Sequence, residues 1–244
     1  MNFKKNIPNC VTFLNLISGC IATYFAFAGE TRLALTWIIV GAAFDFCDGL
    51  TARLLKVSSP IGKELDSLAD DITFGLAPAA MAFHELRVMD YPLLNDVAGP
   101  LRSLLPFVAF VMAAFSAVRL AKFNIDTRQT TSFIGLPTPA NALFWGSIIA
   151  TKSHWLESSP WMSVVLIGLL ALSSWLMVAE IPMFALKFKQ WTWAGNEVRY
   201  IFLMLSAVMV VLCGLLGSLW IIITIYICIS LATAKDIHKD ATHS

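Results

Sequence analysis

Charged side chains are scarce in this sequence. Asp, Glu, Lys and Arg make up 14% of its 244 residues, while 58% are hydrophobic and the mean hydropathy is +0.74. A soluble domain carries roughly a quarter charged residues, so the composition excludes one and points to a polytopic membrane protein. The net charge is only +1; without a concentrated basic face, nucleic acid is excluded as a partner. Cysteine is sparse too. Cys10, Cys20, Cys47, Cys213 and Cys228 are odd in number, widely spaced and lack a CxxC pair. That excludes a disulfide framework and a thiolate metal site, and leaves them as small buried hydrophobes. His84, His154, His238 and His243 show no ligand spacing. There is no low-complexity tract and no solenoid-type repeat. The first apolar stretch has no convincing small-residue cleavage site, so it is expected to be a retained span and not a signal peptide.

Long apolar runs fill the chain instead. Eight lie at roughly 8–28, 33–54, 64–84, 103–122, 136–151, 161–184, 198–214 and 217–234. Most approach the ~20 residues a helix needs to cross the hydrocarbon core. The fifth is short and opens with Pro137 and Pro139, which a first helical turn tolerates because its N–H groups have no partner anyway. A very tight turn at Gly214 to Ser218 must separate the last two. Of the 17 Lys and Arg, thirteen fall on one side: Lys4, Lys5, Arg53, Lys56, Lys63, Arg119, Lys122, Arg128, Lys187, Lys189, Arg199, Lys235 and Lys239. Arg32, Arg87, Arg102 and Lys152 fall on the other. The positive-inside bias then puts both termini in the cytoplasm of an inner-membrane protein. Trp155, Trp161, Trp191 and Trp193 suit interfacial belts. Glu180 is expected inside the sixth span, before a kink at Pro182, in a structural role more than a catalytic one.

Against this background the acidic string Asp45-x2-Asp48-Gly49-x2-Ala52-Arg53-x8-Gly62-x3-Asp66-x3-Asp70 stands out. Carboxylates at membrane depth are expensive, and a group of four must be balanced by positive charge. On a helix Asp45 and Asp48 are i, i+3 and Asp66 and Asp70 are i, i+4, so each pair shares a face. Two such helices side by side form a pocket of hard oxygen ligands, suited to Mg²⁺, Mn²⁺ or Ca²⁺. Two such ions make the clamp used for displacement at phosphorus. Gly49 and Ala52 lack bulk and let a nucleotide lie close, and Arg53 offers phosphate a two-pronged donor. Asp71 points off the shared face and is left as a supporting or capping residue. The thirteen-to-four bias places this pocket at the cytoplasmic ends of the second and third spans.

The acidic string resembles the signature of the CDP-alcohol phosphotransferases, with every specified position present and every spacing kept. The resemblance implies a six-helix core (about 8–190 here), two extra C-terminal helices (about 198–234), one catalytic domain over 1–244, two metal ions on Asp45, Asp48, Asp66 and Asp70, and a homodimer. It implies that the CDP moiety lies near Asp48, Gly49, Ala52 and Arg53, and that Asp70 is the general base. Ile7-Pro8-Asn9-x2-Thr12-x2-Asn15, Arg119-Leu120-Ala121-Lys122-Phe123-Asn124 and Phe133-Ile134-Gly135-Leu136-Pro137-Thr138-Pro139-Ala140 resemble the phosphatidylserine synthase branch of that family. That likeness implies CDP-diacylglycerol as donor, with Asn9, Thr12 and Gly62 added to its site, and L-serine as acceptor. The branch carries Arg where this chain has Lys122. Serine brings a carboxylate, and Arg119, Lys122 and Asn124 close the fourth span on the aspartates' side; the alternative is that the two cations are ordinary positive-inside anchors. Inositol phosphate or glycerol phosphate as acceptor, or an archaeal-type lipid donor, stays open. A cation transporter is the rival of another class, but its site belongs at the bilayer midplane.

Overall fold

The computed structural model describes residues 3–57, 59–92, 99–126, 133–184, 186, 192–193 and 196–242. α1 (Phe3–Phe27) turns at Gly29, whose φ of 81° suits glycine, into α2 (Thr31–Leu55). Lys56 ends α2 in the left-handed conformation, with its N–H on the carbonyls of Ala52 and Arg53. α3 (Pro60–Asp70) then starts on a strong signal: Ser59 Oγ accepts from Gly62 N at 2.9 Å, and Pro60 occupies the first turn. A π-helical turn (Asp71–Leu76) passes the chain into α4 (Ala77–Val88), making one rod from 60 to 88. A second composite rod is α5 (Gly99–Leu104), a 3-10 stretch (Leu105–Phe110) and α6 (Val111–Ile125). After β1 (Phe133–Ile134) come α7 (Thr138–Leu156), α8 (Trp161–Val178), β2 (Pro182–Met183) and α9 (Glu197–Thr242).

The protein is an all-α polytopic membrane protein. Five of its helical segments are long and apolar enough to cross a bilayer by length and composition. α1 packs along α2 and also touches α3, the π turn and α4, so it forms the back wall of the aspartate region. Small residues make the close approach workable: a Cβ on Gly41 would sit 2.5 Å from Thr73 Cγ2. Thr73 Oγ1 in turn donates to Asn15 O at 3.0 Å, pinning the π turn to α1. Phe74, Met81, Leu35, Ile38 and Trp145 fill the centre, and Trp145 Nε1 donates to Ser173 Oγ at 2.9 Å.

Several sequence expectations need correction. α9 is broken only at Gly214 (φ 70°, ψ 166°), not across Gly214 to Ser218. The break reverses the chain: the Phe202 and Tyr226 rings lie 6.0 Å apart, where one straight helix would separate them by about 36 Å. The sixth apolar run stops being helical at Val178. Glu180 is therefore outside the helix and exposed, and Pro182–Met183 pairs antiparallel with Phe133–Ile134 instead of kinking a span. Gly135 N donates to Ile181 O and Leu136 N to Leu176 O, both at 2.9 Å, which commits the chain after α8 to this short sheet. The five cysteines are free and exposed, not buried. In a bilayer, lipid supplies the apolar surroundings that burial supplies in water, so small hydrophobes need no protein cover. Arg128, Lys187, Lys189 and Trp191 lie outside the described residues, as do the side chains of Lys4, Lys5, Lys235, His238 and Lys239 and all of His243.

Candidate active site

α2 and α3 lean together at the end where the chain turns between them. Carboxylate oxygens of Asp45, Asp48 and Asp66 come within 4.8 Å of one another. At that spacing each pair of negative charges repels by roughly 3–4 kcal/mol for an effective dielectric of about 20. Among the described residues no Lys or Arg forms an ion pair with them. Asp66 Oδ1 is buried and finds no hydrogen-bond partner among the described residues. Hard oxygen donors, mutual proximity and an unpartnered buried oxygen together fit a divalent cation.

Asp70 stands one turn beyond Asp66, within electrostatic range of Asp45 and Asp66 but outside the tight triplet. α1 holds it. Asn15 Nδ2 donates to Asp70 Oδ1 at 3.0 Å, while three residues earlier Thr12 Oγ1 donates to Asp48 Oδ2 at 2.6 Å, with Pro8 O 3.1 Å away as the alternative acceptor. Thr12 and Asn15 share a face of α1 and orient one carboxylate on each neighbouring helix. Both are buried. Asp71 opens the π turn and faces the other way, toward Gly75 and Ser116.

Beside the triplet lies a cavity of about 320 Å³ lined by Asn9, Thr12, Asp48, Gly49, Ala52 and Gly62 among others. These are the residues singled out for the donor, except Arg53. A Cβ on Gly49 would meet only Arg53 Nη2, at 3.9 Å, so the glycine opens space at the cavity wall. Gly62 serves closeness of another kind, since a Cβ there would come within 2.9 Å of Asn9 Oδ1 and of Ser59 Oγ. Both glycines sit inside helices. Arg53 is exposed, with Nε donating to Gly49 O at 3.0 Å and its terminal nitrogens left toward solvent.

The residues assigned to serine divide. Arg119 is buried, donates to Thr138 Oγ1 at 3.3 Å, lies 5.6 Å from the Phe123 ring centroid and feels the charge of Asp70. Its Nε has no hydrogen-bond partner among the described residues. Lys122 is exposed and reaches Val178 O at 3.5 Å. The cavity they share, with Glu180 on its wall, measures about 30 Å³, room for water and not for an amino acid. Asn124 is engaged elsewhere: its Nδ2 donates to Ser67 Oγ at 2.8 Å and its carbonyl accepts from Lys63 Nζ at 2.6 Å, tying α6 to α3. Lys63 also lines the larger cavity, and neither it nor Asn15 was given a role from sequence. The signal for Lys63 was available, as it lies i, i+3 from Asp66 in the first turn of α3.

An acidic cluster on two adjoining helices thus stands beside a cavity of about 320 Å³ in a polytopic membrane protein. The chain belongs to the CDP-alcohol phosphatidyltransferase family, whose model matches residues 5–186. It is similar to the CDP-diacylglycerol--serine O-phosphatidyltransferase of Bacillus subtilis, 35% identical over 137 residues (54% of this chain, 69% of the relative). The enzymes of the same name from Mycobacterium leprae and Helicobacter pylori (strain 26695) are 29% identical over 233 residues and 31% identical over 175 residues. These cover 91% and 68% of this chain and 72% and 69% of the relatives.

Proposed function

We propose that this chain transfers the phosphatidyl group of CDP-diacylglycerol to the hydroxyl of L-serine, releasing CMP and leaving phosphatidylserine in the membrane. The observation that carries it is the convergence of Asp45, Asp48 and Asp66, of which Asp48 and Asp66 line the cavity shared with Asn9, Gly49, Ala52 and Gly62. Serine as the acceptor is supported by the names of the relatives and by the buried Arg119 cation near Asp70.

The cytidine diphosphate occupies the cavity, and Arg53 turns its terminal nitrogens onto the phosphates. The acyl chains stay in lipid along the exposed apolar flank of Leu50, Leu54, Ile61 and Leu68. Asp45, Asp48, Asp66 and Asp70 would hold two divalent cations, Mg²⁺ or Mn²⁺ with Ca²⁺ an alternative occupant, whose charge offsets that of the diphosphate and of the departing CMP. Arg119 receives the serine carboxylate on the side facing Asp70. Asp70, with Oδ1 accepting from Asn15, takes the hydroxyl proton on Oδ2 as the serine oxygen bonds to the phosphorus bearing diacylglycerol. The bond from that phosphorus to the CMP oxygen breaks in the same displacement. The chain crosses an inner membrane eight times, with both termini and the site on the cytoplasmic side, and acts as a homodimer of one catalytic unit with a core of about 8–190.

Purified protein incubated with CDP-diacylglycerol, Mn²⁺ and labelled serine should form labelled lipid and CMP only when all three are present. Labelling with glycerol phosphate or inositol phosphate in place of serine would transfer the assignment to a sister activity. Arg119→Lys keeps the charge and loses the fork. It should raise the KM for serine about 10- to 100-fold, the worth of one charge-assisted hydrogen bond, while the KM for CDP-diacylglycerol stays put. An unchanged serine KM removes Arg119 from the acceptor pocket.

A further inference from the structure

The rod from 60 to 88 carries Asp66 near one end and Arg87 at the other. Twenty-one residues of helix span about 30 Å, the thickness of the hydrocarbon core, so Arg87 marks the opposite membrane face. A cavity of about 560 Å³ lies there, between the end of α4 and the start of the rod formed by α5 and α6. Its lining brings Arg87 and Arg102 together with Asp90, Tyr91, Phe83 and Phe107. By the positive-inside topology, four of the chain's 17 Lys and Arg fall on this side of the membrane, and two of them line this one cavity.

Among the described residues the charge there is incompletely balanced. Arg102 pairs with Asp90 at 2.7 Å, both largely exposed. Arg87 lies 5.8 Å from the Phe83 ring centroid and has no ion-pair partner among the described residues. Tyr91 donates its hydroxyl to Leu86 O and brings no charge. Among the described residues that line the cavity, two guanidinium groups stand against one carboxylate, a positive surplus that complements a phosphodiester. Below the arginines Phe83 packs against Phe27, Phe107 and Phe110, with ring centroids 4.9 to 5.9 Å away. Phe27 and Phe107 remain about half exposed, and Val88 and Leu104 beside them are more so. A cationic mouth at the membrane boundary thus continues into an exposed aromatic strip running toward the bilayer interior. That pairing of a charged head and an apolar flank is the shape of a lipid, with guanidinium groups to meet a phosphate and rings to meet an acyl chain.

We propose that this cavity binds the phosphodiester headgroup of an anionic glycerophospholipid in the leaflet opposite the aspartate site, with Arg87 and Arg102 on the phosphate and an acyl chain along Phe83, Phe107 and Phe27. The site is separate from the one where transfer takes place and does not depend on which alcohol is the acceptor.

The test is lipid retention. Full-length protein is exchanged into mixed micelles of phosphatidylglycerol and phosphatidylcholine, and the lipids that stay bound are counted by native mass spectrometry. Wild type should retain phosphatidylglycerol in preference, and Arg87→Gln with Arg102→Gln should lower that preference about fivefold for each arginine removed. Arg87→Lys with Arg102→Lys, which keeps the charge and loses the fork, should fall between. CMP release in phosphatidylcholine micelles should match wild type in both double variants, which shows that the fold is retained. Equal retention of the two lipids by wild type overturns the proposal without reference to any variant. So does a preference that survives the glutamine pair, or displacement of the bound lipid by soluble glycerol phosphate, which would make this a site for free phosphate esters.

Discussion

Asp70→Asn should lower the rate of CMP release by about 10²- to 10⁴-fold, the range a positioned general base contributes, with CDP-diacylglycerol binding largely kept. The substitution is nearly isosteric. Asparagine still offers Asn15 an oxygen at the same place, 3.0 Å from Nδ2 in the native chain, so the local packing of α1 on α3 is preserved. What it cannot do is receive a proton on its second atom. Turnover measured beside equilibrium binding of the donor separates the two roles: loss of the first with survival of the second is the expected pattern. Asp70→Asn turning over at the native rate would remove Asp70 from the chemistry, whatever its neighbours do.

The second large effect concerns the metal. Chelation with EDTA should abolish CMP release, and excess Mn²⁺ should restore it. Asp66→Asn removes one of three carboxylates whose oxygens lie within 4.8 Å of one another. It should raise the Mn²⁺ concentration for half-maximal activity by at least about tenfold to a hundredfold, a loss seen even for groups that only support a metal ligand. Asp45→Asn should behave alike. A readout independent of turnover is the amount of Mn²⁺ bound, followed by electron paramagnetic resonance: native chain should bind it and Asp66→Asn should bind it weakly. Full activity in EDTA, or native Mn²⁺ binding by both variants, would leave the acidic cluster without its assigned partner.

How much of this was legible in the sequence depends on how local the signal is. The aspartate string lies on two consecutive helices, and its spacing alone puts each pair on one face; of the four carboxylates expected together, three converge and Asp70 stands outside them. Each apolar run also met a helix. The ends were less well placed, because residues such as Pro60 and Lys63 do not extend an apolar window yet are helical once Ser59 caps them. The support given by α1 had no local sign. Thr12 meets Asp48 across 36 residues and Asn15 meets Asp70 across 55, and such partners are chosen by packing, not by spacing. Glu180 failed for a similar reason: its apolar flanks continue a helical window, but Pro182–Met183 finds Phe133–Ile134, about 50 residues earlier, and the pairing prevails over the helix.

The π turn at Asp71–Leu76 has a consequence for how this rod tolerates change. Each i to i+5 turn carries an extra residue, so the two halves of the rod are out of phase by about 100° compared with an uninterrupted α-helix. The half that presents Asp66 and Asp70 is therefore geared separately from the half that ends at Arg87. Repacking of the far half against its neighbours is absorbed at this slipped tooth and need not rotate the carboxylates out of alignment.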